Sequence, residues 1–161
     1  MSVLSRDQVM QWLSEVPDPE IPVLTITDLG IVRDVAVNDG VTVALTPTYT
    51  GCPATEVIEK SVIDALHEHG VERVSIDRVL SPPWTTDWIS AEGREKLREY
   101  GIAPPEKSAG KRALLHGEKT VQCPRCASAD TQLVSEFGST ACKASYKCTA
   151  CLEPFEYFKC I

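Results

Sequence analysis

The apolar residues near the start of the chain recur every three or four positions, which is the period of one helix face. They are Val9, Trp12, Leu13 and Val16. Ser5 stands before them, and Gln8 follows it at the spacing of a capping box, in which the hydroxyl caps the helix start. The pattern predicts a first helix over residues 6–15, and Pro17 ends it because proline has no backbone N–H to donate.

The next apolar runs alternate or are rich in β-branched residues, which is typical of strands. Residues 31–37 and 41–45 form two such runs, separated by Asn38, Asp39 and Gly40. These three residues predict a tight hairpin turn in which Gly40 supplies a positive φ.

Helical spacing returns over residues 53–69, where a narrow apolar stripe predicts a second helix that stops at Gly70. Residues 71–79 predict a third strand, and a polar helix follows that Ser90 caps and Gly101 ends. The order α-β-β-α-β-α predicts an α+β domain, in which a small three-stranded sheet is covered by helices on one face.

The periodic pattern is lost over residues 102–120, which contain proline, glycine, serine and lysine. Segments of this composition commonly connect folded parts of a chain. We therefore predict a domain at residues 1–105, a linker at 106–120 and a separate module at 121–161.

The C-terminal module contains two Cys-x-x-Cys pairs that enclose 21 residues. The pairs are Cys123 with Cys126 and Cys148 with Cys151. Two residues between thiolates let a tight turn direct both sulfurs at one ion, so the spacing predicts a zinc ribbon whose closed site holds the fold. Mononuclear iron or an iron–sulfur cluster is the alternative at the same four thiolates, and disulfides are disfavoured in a reducing compartment.

Two further thiols, Cys142 and Cys160, lie outside this quartet. Free cysteines are among the most buried residues, so both are interpreted as small apolar core residues. The alternative is that they are extra thiols of a second site or of a docking surface.

Charge and composition narrow the class of protein. The formal net charge is −7, with 12 Lys and Arg against 19 Asp and Glu in residues 1–120, and 4 against 4 in residues 121–161. Because nucleic-acid binding depends on clustered positive charge, we expect no nucleic-acid partner. No apolar run is long enough to cross a bilayer, and the N-terminal segment is not built like a secretory signal. We therefore expect a cytoplasmic protein without a membrane partner.

Cys52 stands between Gly51 and Pro53 in the segment TPTYTGCPAT, where a strand leads into a helix. Proline fits the first helical position, which would make Cys52 the N-cap residue, exposed to the positive end of the helix dipole. That position favours a thiolate able to ligate a metal or carry sulfur. The alternative is a buried capping cysteine without chemistry, and no histidine or acid nearby in sequence predicts a hydrolase.

Four other side chains are candidates for recognition. Asp18 and Glu20 are held between prolines in the segment PDPEIP, which suits a ligand loop, although single loop acids are commonly only solvated charges. Trp84 and Trp88 in PPWTTDW either fill the core or, if exposed, mark a partner surface.

The segments DPEIPVLTITDLGIV, TPTYTGCPA and PPWTTDWIS resemble the SufT-like, MIP-type family of iron–sulfur assembly factors over residues 5–105. The tail FGSTACKASYKCTACLEPFEYFKC narrows the resemblance to the PaaD family, the small subunits encoded with the phenylacetyl-CoA epoxidase of phenylacetate degradation.

This resemblance implies a compact α+β domain, an exposed Cys52 that binds an iron–sulfur cluster transiently, and an Asp-Pro-Glu loop at Asp18 and Glu20. It also implies partners among the other epoxidase subunits, especially the iron–sulfur reductase, and leaves a homodimer open. The chain has neither a pair of Glu-x-x-His helices nor a glycine-rich dinucleotide loop, so we expect it to perform no catalysis itself. The expected role is assembly or repair of a metal centre. The alternative is a zinc-ribbon module that binds protein or nucleic acid without handling clusters.

Overall fold

The computed structural model describes residues 3–48, 51–105 and 121–159. The chain divides into two compact units, residues 1–88 and 89–161. Within the described ranges, no helix combines the length and the apolar character that a bilayer span requires.

The N-terminal unit is a mixed α+β fold, as predicted. Its elements are α1 (Arg6–Leu13), β1 (Val32–Val37), β2 (Val41–Leu45), α2 (Ala54–Glu68), β3 (Val74–Arg78) and a 3-10 turn (Thr86–Trp88). The strands form one sheet in the order β1-β2-β3, with β1 antiparallel and β3 parallel to β2. The parallel pair requires a long crossover, which α2 provides.

One apolar face each of α1, α2 and β2 contributes to the core of this unit. The stripe on α2 is buried at every fourth residue, at Ala54, Ile58, Val62 and Leu66. Strand β2 buries alternate residues, and α1 buries Val9 and Leu13. The Ser5 hydroxyl caps α1 by accepting a hydrogen bond from the amide of Gln8 at 3.2 Å. The helical and strand periods in the sequence therefore predicted the packed faces correctly.

The hairpin between β1 and β2 forms, but Gly40 has a different role from the predicted one. Its φ is not positive. A Cβ at this position would lie 2.8 Å from both the Cβ and the carbonyl oxygen of Arg73, just before β3. Glycine is needed here because the hairpin passes close to another backbone segment, and the amide of Val41 donates to the same Arg73 carbonyl at 2.8 Å.

Trp84 fills the core, which is the first of the two alternatives for it, because it is only 3% exposed. Its indole Nε1 donates to the carbonyl oxygen of Leu29 at 2.7 Å. Trp88 is half-buried, and the Arg33 guanidinium lies 3.6 Å from its ring centre. The segment that carries both tryptophans therefore packs against the turn before β1 and serves mainly the core.

The C-terminal unit contains α3 (Ala91–Tyr100), β4 (Ile102–Ala103), β5 (Thr131–Ser135), β6 (Lys143–Cys148) and β7 (Pro154–Phe158). Its sheet has the order β4-β7-β6-β5. The antiparallel strands β5, β6 and β7 form the predicted ribbon, whereas the parallel strand β4 was not predicted. Because β4 pairs with β7, the unit begins before the predicted limit at residue 105.

We expect Gly30→Ala to destabilise the protein far more than Gly70→Ala. Both glycines have a positive φ, +73° and +86°, but a Cβ on Gly30 would lie 2.6 Å from the carbonyl oxygen of Trp88, whereas a Cβ on Gly70 meets nothing within 4 Å. The free energy of unfolding should fall by about 1 kcal/mol for Gly70→Ala and by about 2–4 kcal/mol for Gly30→Ala. Urea denaturation of the two variants measures the difference, and equal losses would contradict this packing.

Candidate functional site

The loop that precedes β1 is closed by the side chain of Asp18, which is 6% exposed. Its Oδ1 accepts hydrogen bonds from the amides of Glu20 at 2.9 Å and Ile21 at 2.8 Å. The amide of Asp18 donates to the carbonyl of Leu24 at 2.8 Å. The loop is therefore held by hydrogen bonds and by the buried side chains of Ile21 and Leu24, in addition to the prolines.

Cys52 lies at the start of α2, one residue farther from the helix than predicted. The helix begins at Ala54, its N-cap is Pro53 with helical backbone angles, and no side chain caps it. Gly51, with φ +78°, turns the chain immediately before Cys52, whose carbonyl accepts a hydrogen bond from the amide of Thr55 at 3.2 Å. The helix thus starts one residue later than predicted, while Pro53 has the helical angles expected of a first helical residue.

A small pocket brings together three candidate residues that come from two distant segments of the sequence. Asp18, Glu20 and Cys52 all line it. Its remaining lining comes from strand ends and from the first turns of α2, at Ile31, Leu45, Pro47, Thr48, Ala54, Thr55, Ile58 and Arg78. We call it the Cys52 pocket. Its free volume of about 20 Å³ accommodates one water-sized species.

Arg78 is the lining residue that the sequence analysis missed. Arg78 is the register partner of Leu45 in the parallel pair β2–β3, so the two residues lie at the same end of these strands. Its guanidinium forms two hydrogen bonds to Glu59 on α2, at 2.8 and 3.0 Å. Such a two-bond pair fixes the guanidinium in place beside the pocket. The predicted succession of strand, helix and strand contained a signal, since such a crossover joins parallel strands and ligands commonly bind beyond the carboxyl ends of parallel strands.

The pocket offers one soft and one hard donor for a metal. The half-buried thiol of Cys52 can ligate iron or carry sulfur, and the carboxylate of Glu20 can ligate through oxygen. Asp18 already uses one oxygen to hold its loop. No histidine is among the described residues that line the pocket, so the structure gives no support to Cys–His hydrolase chemistry.

The four predicted metal ligands of the C-terminal unit converge on one point. The sulfurs of Cys123, Cys126, Cys148 and Cys151 all lie within 4.8 Å of one another. The sulfurs of Cys123 and Cys151 lie 3.7 Å apart, and those of Cys126 and Cys148 lie 3.6 Å apart. Zinc–sulfur bonds of about 2.3 Å in a tetrahedron put the sulfurs about 3.8 Å apart, so the quartet fits a single ion. The thiolates of a polynuclear cluster stand farther apart, because they bind different iron atoms.

Backbone amides around the quartet favour thiolates. The amide of Cys151 donates to the sulfur of Cys148 at 3.4 Å and holds the pKa of Cys148 at about 7. The amide of Glu153 lowers the pKa of Cys151, but desolvation and the neighbouring thiols outweigh it and raise that pKa to about 12. Four adjacent sulfurs therefore ionise together only when a cation such as zinc compensates their charge.

Of the two remaining thiols, only Cys142 is among the described residues, and it is not part of the quartet. Cys142 is 4% exposed, and its sulfur lies 3.0 Å from the hydroxyl of Thr140. Its burial agrees with the interpretation as a small core residue. Cys160 lies outside the described residues.

Two family models match the two parts of the chain. A family described as iron-sulfur cluster assembly protein matches residues 6–76, which include Asp18, Glu20 and Cys52. A family described as PaaD zinc beta ribbon domain matches residues 107–159, which include the cysteine quartet.

Individual relatives fall into two groups, one named for the epoxidase and the other for Fe-S protein maturation. A protein of Escherichia coli K12, named as a subunit of 1,2-phenylacetyl-CoA epoxidase, is 54% identical over 96% of this chain and 92% of its own length. An Fe-S protein maturation auxiliary factor of Porphyromonas gingivalis is 38% identical over 58% of this chain and 90% of its own length. The Fe-S protein maturation auxiliary factor SufT of Staphylococcus aureus is 40% identical over 45% of this chain and 85% of its own length.

Solved structures match over a similar share of the chain. A domain of unknown function from Bacillus anthracis has a TM-score of 0.54 at 27% identity and covers 57% of this chain and 90% of its own. A conserved hypothetical protein from Thermotoga maritima has a TM-score of 0.52 at 33% identity, covering 60% and 98%.

We expect Asp18→Ala to destabilise the loop and Asp18→Asn to be tolerated. Alanine leaves the buried amides of Glu20 and Ile21 without their acceptor, whereas the asparagine side-chain oxygen can replace it. The free energy of unfolding should fall by about 2 kcal/mol or more for alanine and by about 1 kcal/mol or less for asparagine. Urea denaturation measures both, and an alanine variant as stable as the wild type would refute the structural role.

Proposed function

Because the chain belongs to the PaaD family of phenylacetyl-CoA epoxidase subunits, we propose that it is an accessory subunit of such an epoxidase system in aerobic phenylacetate degradation. Its task is to assist assembly or repair of an iron–sulfur cluster, or another metal centre, in the oxygenase or its reductase. The chain itself performs no catalysis in this proposal.

The observation that carries the proposal is the Cys52 pocket. Cys52 shares it with Asp18 and Glu20, although more than 30 residues separate the thiol from the acids in sequence. All of its lining residues except Arg78 lie within residues 6–76, which match the iron-sulfur cluster assembly protein family. An accessible thiol beside a carboxylate is a ligand set suited to iron.

The number of ligands makes binding in the pocket transient. An iron–sulfur cluster is normally held by four protein ligands, whereas this pocket supplies the thiolate of Cys52 and the carboxylate of Glu20. Its free volume of about 20 Å³ is too small for a cluster to enter. The cluster therefore sits at the pocket mouth, and other ligands come from a client protein, a small thiol or a second copy of the chain.

Transfer then requires only ligand exchange. A cysteine thiol of the client displaces the sulfur of Cys52 from iron, and the proton released by the client thiol passes to Cys52. No electron changes hands in this step, so neither an oxidant nor a reductant is needed. Arg78 lines the same pocket, and its positive charge offsets the charge of the anionic ligands there.

The zinc ribbon serves as the docking platform in this proposal. Its four thiolates close the coordination sphere, which suits a structural site. Four large apolar side chains of the ribbon are 47–66% exposed, namely Leu133, Val134, Phe137 and Leu152. Exposed apolar surface of this kind supports binding to another protein subunit.

The preferred client is the iron–sulfur reductase of the epoxidase system, and the encounter takes place in the cytoplasm. In a homodimer, two copies of Cys52 would supply two of the four cluster ligands.

We expect the reductase to contain less iron and less acid-labile sulfide when it is produced without this chain. Production with the Cys52→Ser variant should give the same deficit, because serine cannot replace the thiolate. Production with Cys142→Ser should restore full loading, since that thiol is buried and lies outside both sites. Iron, sulfide and epoxidase activity are measured in all four preparations. Equal loading with and without the chain would refute the proposal, and full loading with Cys52→Ser would refute the role of the thiol.

A further inference from the structure

The two units of the chain differ sharply in charge. Residues 1–88 contain 5 Lys and Arg against 14 Asp and Glu, a net charge of −9. Residues 89–161 contain 11 against 9, a net charge of +2. A site for an anion is therefore electrostatically disfavoured in the first unit and acceptable in the second.

The C-terminal unit contains a cleft with a free volume of about 480 Å³, which we call the arginine cleft. Three guanidinium groups line it, two from α3 and one from the turn that carries Cys123. Arg94 and Arg98 stand four residues apart, so they lie on the same face of the helix. Arg125 follows Cys123 and Pro124 in the first Cys-x-x-Cys turn.

The rest of the cleft is mainly apolar or aromatic. Pro104, Pro105, Pro124, Val121 and Tyr157 contribute to its lining. Arg94 donates a hydrogen bond to the carbonyl of Pro105, which holds one wall in place. A lining that combines guanidinium groups with apolar and aromatic residues fits a ligand that has both an apolar or flat body and an anionic group.

The existing partners of the arginines indicate which anion fits best. Arg98 lies 3.4 Å from Glu95 and Arg125 lies 3.7 Å from Glu153, and all four side chains are 43–63% exposed. Such long, solvated ion pairs contribute little to stability, so the arginines can readily exchange these glutamates for another anion. A single carboxylate from a partner would gain little over these pairs. A phosphate group carries more charge and three acceptor oxygens, and guanidinium groups bind it with two parallel hydrogen bonds.

We propose that the arginine cleft binds a small organic phosphate, meaning a phosphorylated ligand with a flat or apolar body. Adenine nucleotides and coenzyme A thioesters share this chemistry. The volume of the cleft lies within the range of small-ligand sites, roughly 300–1,000 Å³. This site is separate from the Cys52 pocket, with which it shares no lining residue.

Isothermal titration calorimetry of the zinc-loaded full-length chain tests this assignment. The probes are ADP, coenzyme A, phenylacetyl-CoA, inorganic phosphate and a glutamate-rich peptide, all at one low ionic strength. We expect saturable binding of ADP or a coenzyme A compound with a Kd below about 1 mM, and weaker binding of inorganic phosphate. Equal affinities for ADP and coenzyme A would assign the nucleotide as the recognised part, and tighter binding of phenylacetyl-CoA would assign the acyl chain as well.

Variants of the exposed arginines supply the control. Arg98→Gln and Arg125→Gln should each weaken binding about tenfold, because each removes one charge-assisted contact. The double variant Arg6→Gln/Arg73→Gln removes two exposed arginines of the other unit and should bind like the wild type. Circular dichroism and zinc content verify that each variant is folded. Absence of saturable binding, equal loss in the Arg6/Arg73 control, or tighter binding of inorganic phosphate or of the peptide would overturn the assignment.

Discussion

One oxygen atom of Asp18 accepts hydrogen bonds from the amides of Glu20 and Ile21, and these bonds close a loop that has neither a helix nor a long strand to hold it. The loop is anchored from below by the buried side chains of Ile21 and Leu24. The closed loop places Glu20 in the lining of the pocket, and the start of α2 places Cys52 in the same lining. Without this constraint the pocket would lose one wall, because proline restricts the backbone angles but supplies no attachment to the core.

The two sulfur sites of the chain differ in how complete their ligand sets are. The quartet in the ribbon brings four sulfurs within 4.8 Å, so a bound zinc has no open position. The Cys52 pocket offers a single thiol and the carboxylate of Glu20. A complete site stabilises a fold, whereas an incomplete one can release its cargo to a partner that completes the set. In the proposed function, the same chain combines a structural metal site with a site for cluster exchange.

Features governed by local physics could be predicted from the sequence. The caps at Ser5 and Ser90, the helix stop at Gly101 and the convergence of the cysteine quartet all depend on residues close in sequence or on a fixed spacing. Asp18, Glu20 and Cys52 were identified as separate candidates. Their meeting in one pocket depends on the tertiary fold.

The features that were mistaken, left open or missed form where distant segments meet. Gly40 is required by the backbone at Arg73, and Trp84 is buried against Leu29, 55 residues away. Strand β4 exists because β7 offers it a partner edge, and the arginine cleft combines α3 with the first Cys-x-x-Cys turn. None of these contacts leaves a periodic signal in the sequence, since each depends on how the sheets and helices pack in the folded chain.

The proposed function gives the chain two metal sites, a structural zinc site in the ribbon and a site for iron–sulfur cluster exchange at Cys52. Metal analysis and absorption spectra of protein purified without oxygen test it, with the wild type compared to Cys52→Ser and Cys123→Ser. We expect one zinc ion per chain, lost in Cys123→Ser alone, and an iron–sulfur absorption lost in Cys52→Ser while zinc is retained. An iron–sulfur absorption that persists in Cys52→Ser, or one that disappears only together with zinc in Cys123→Ser, would contradict it.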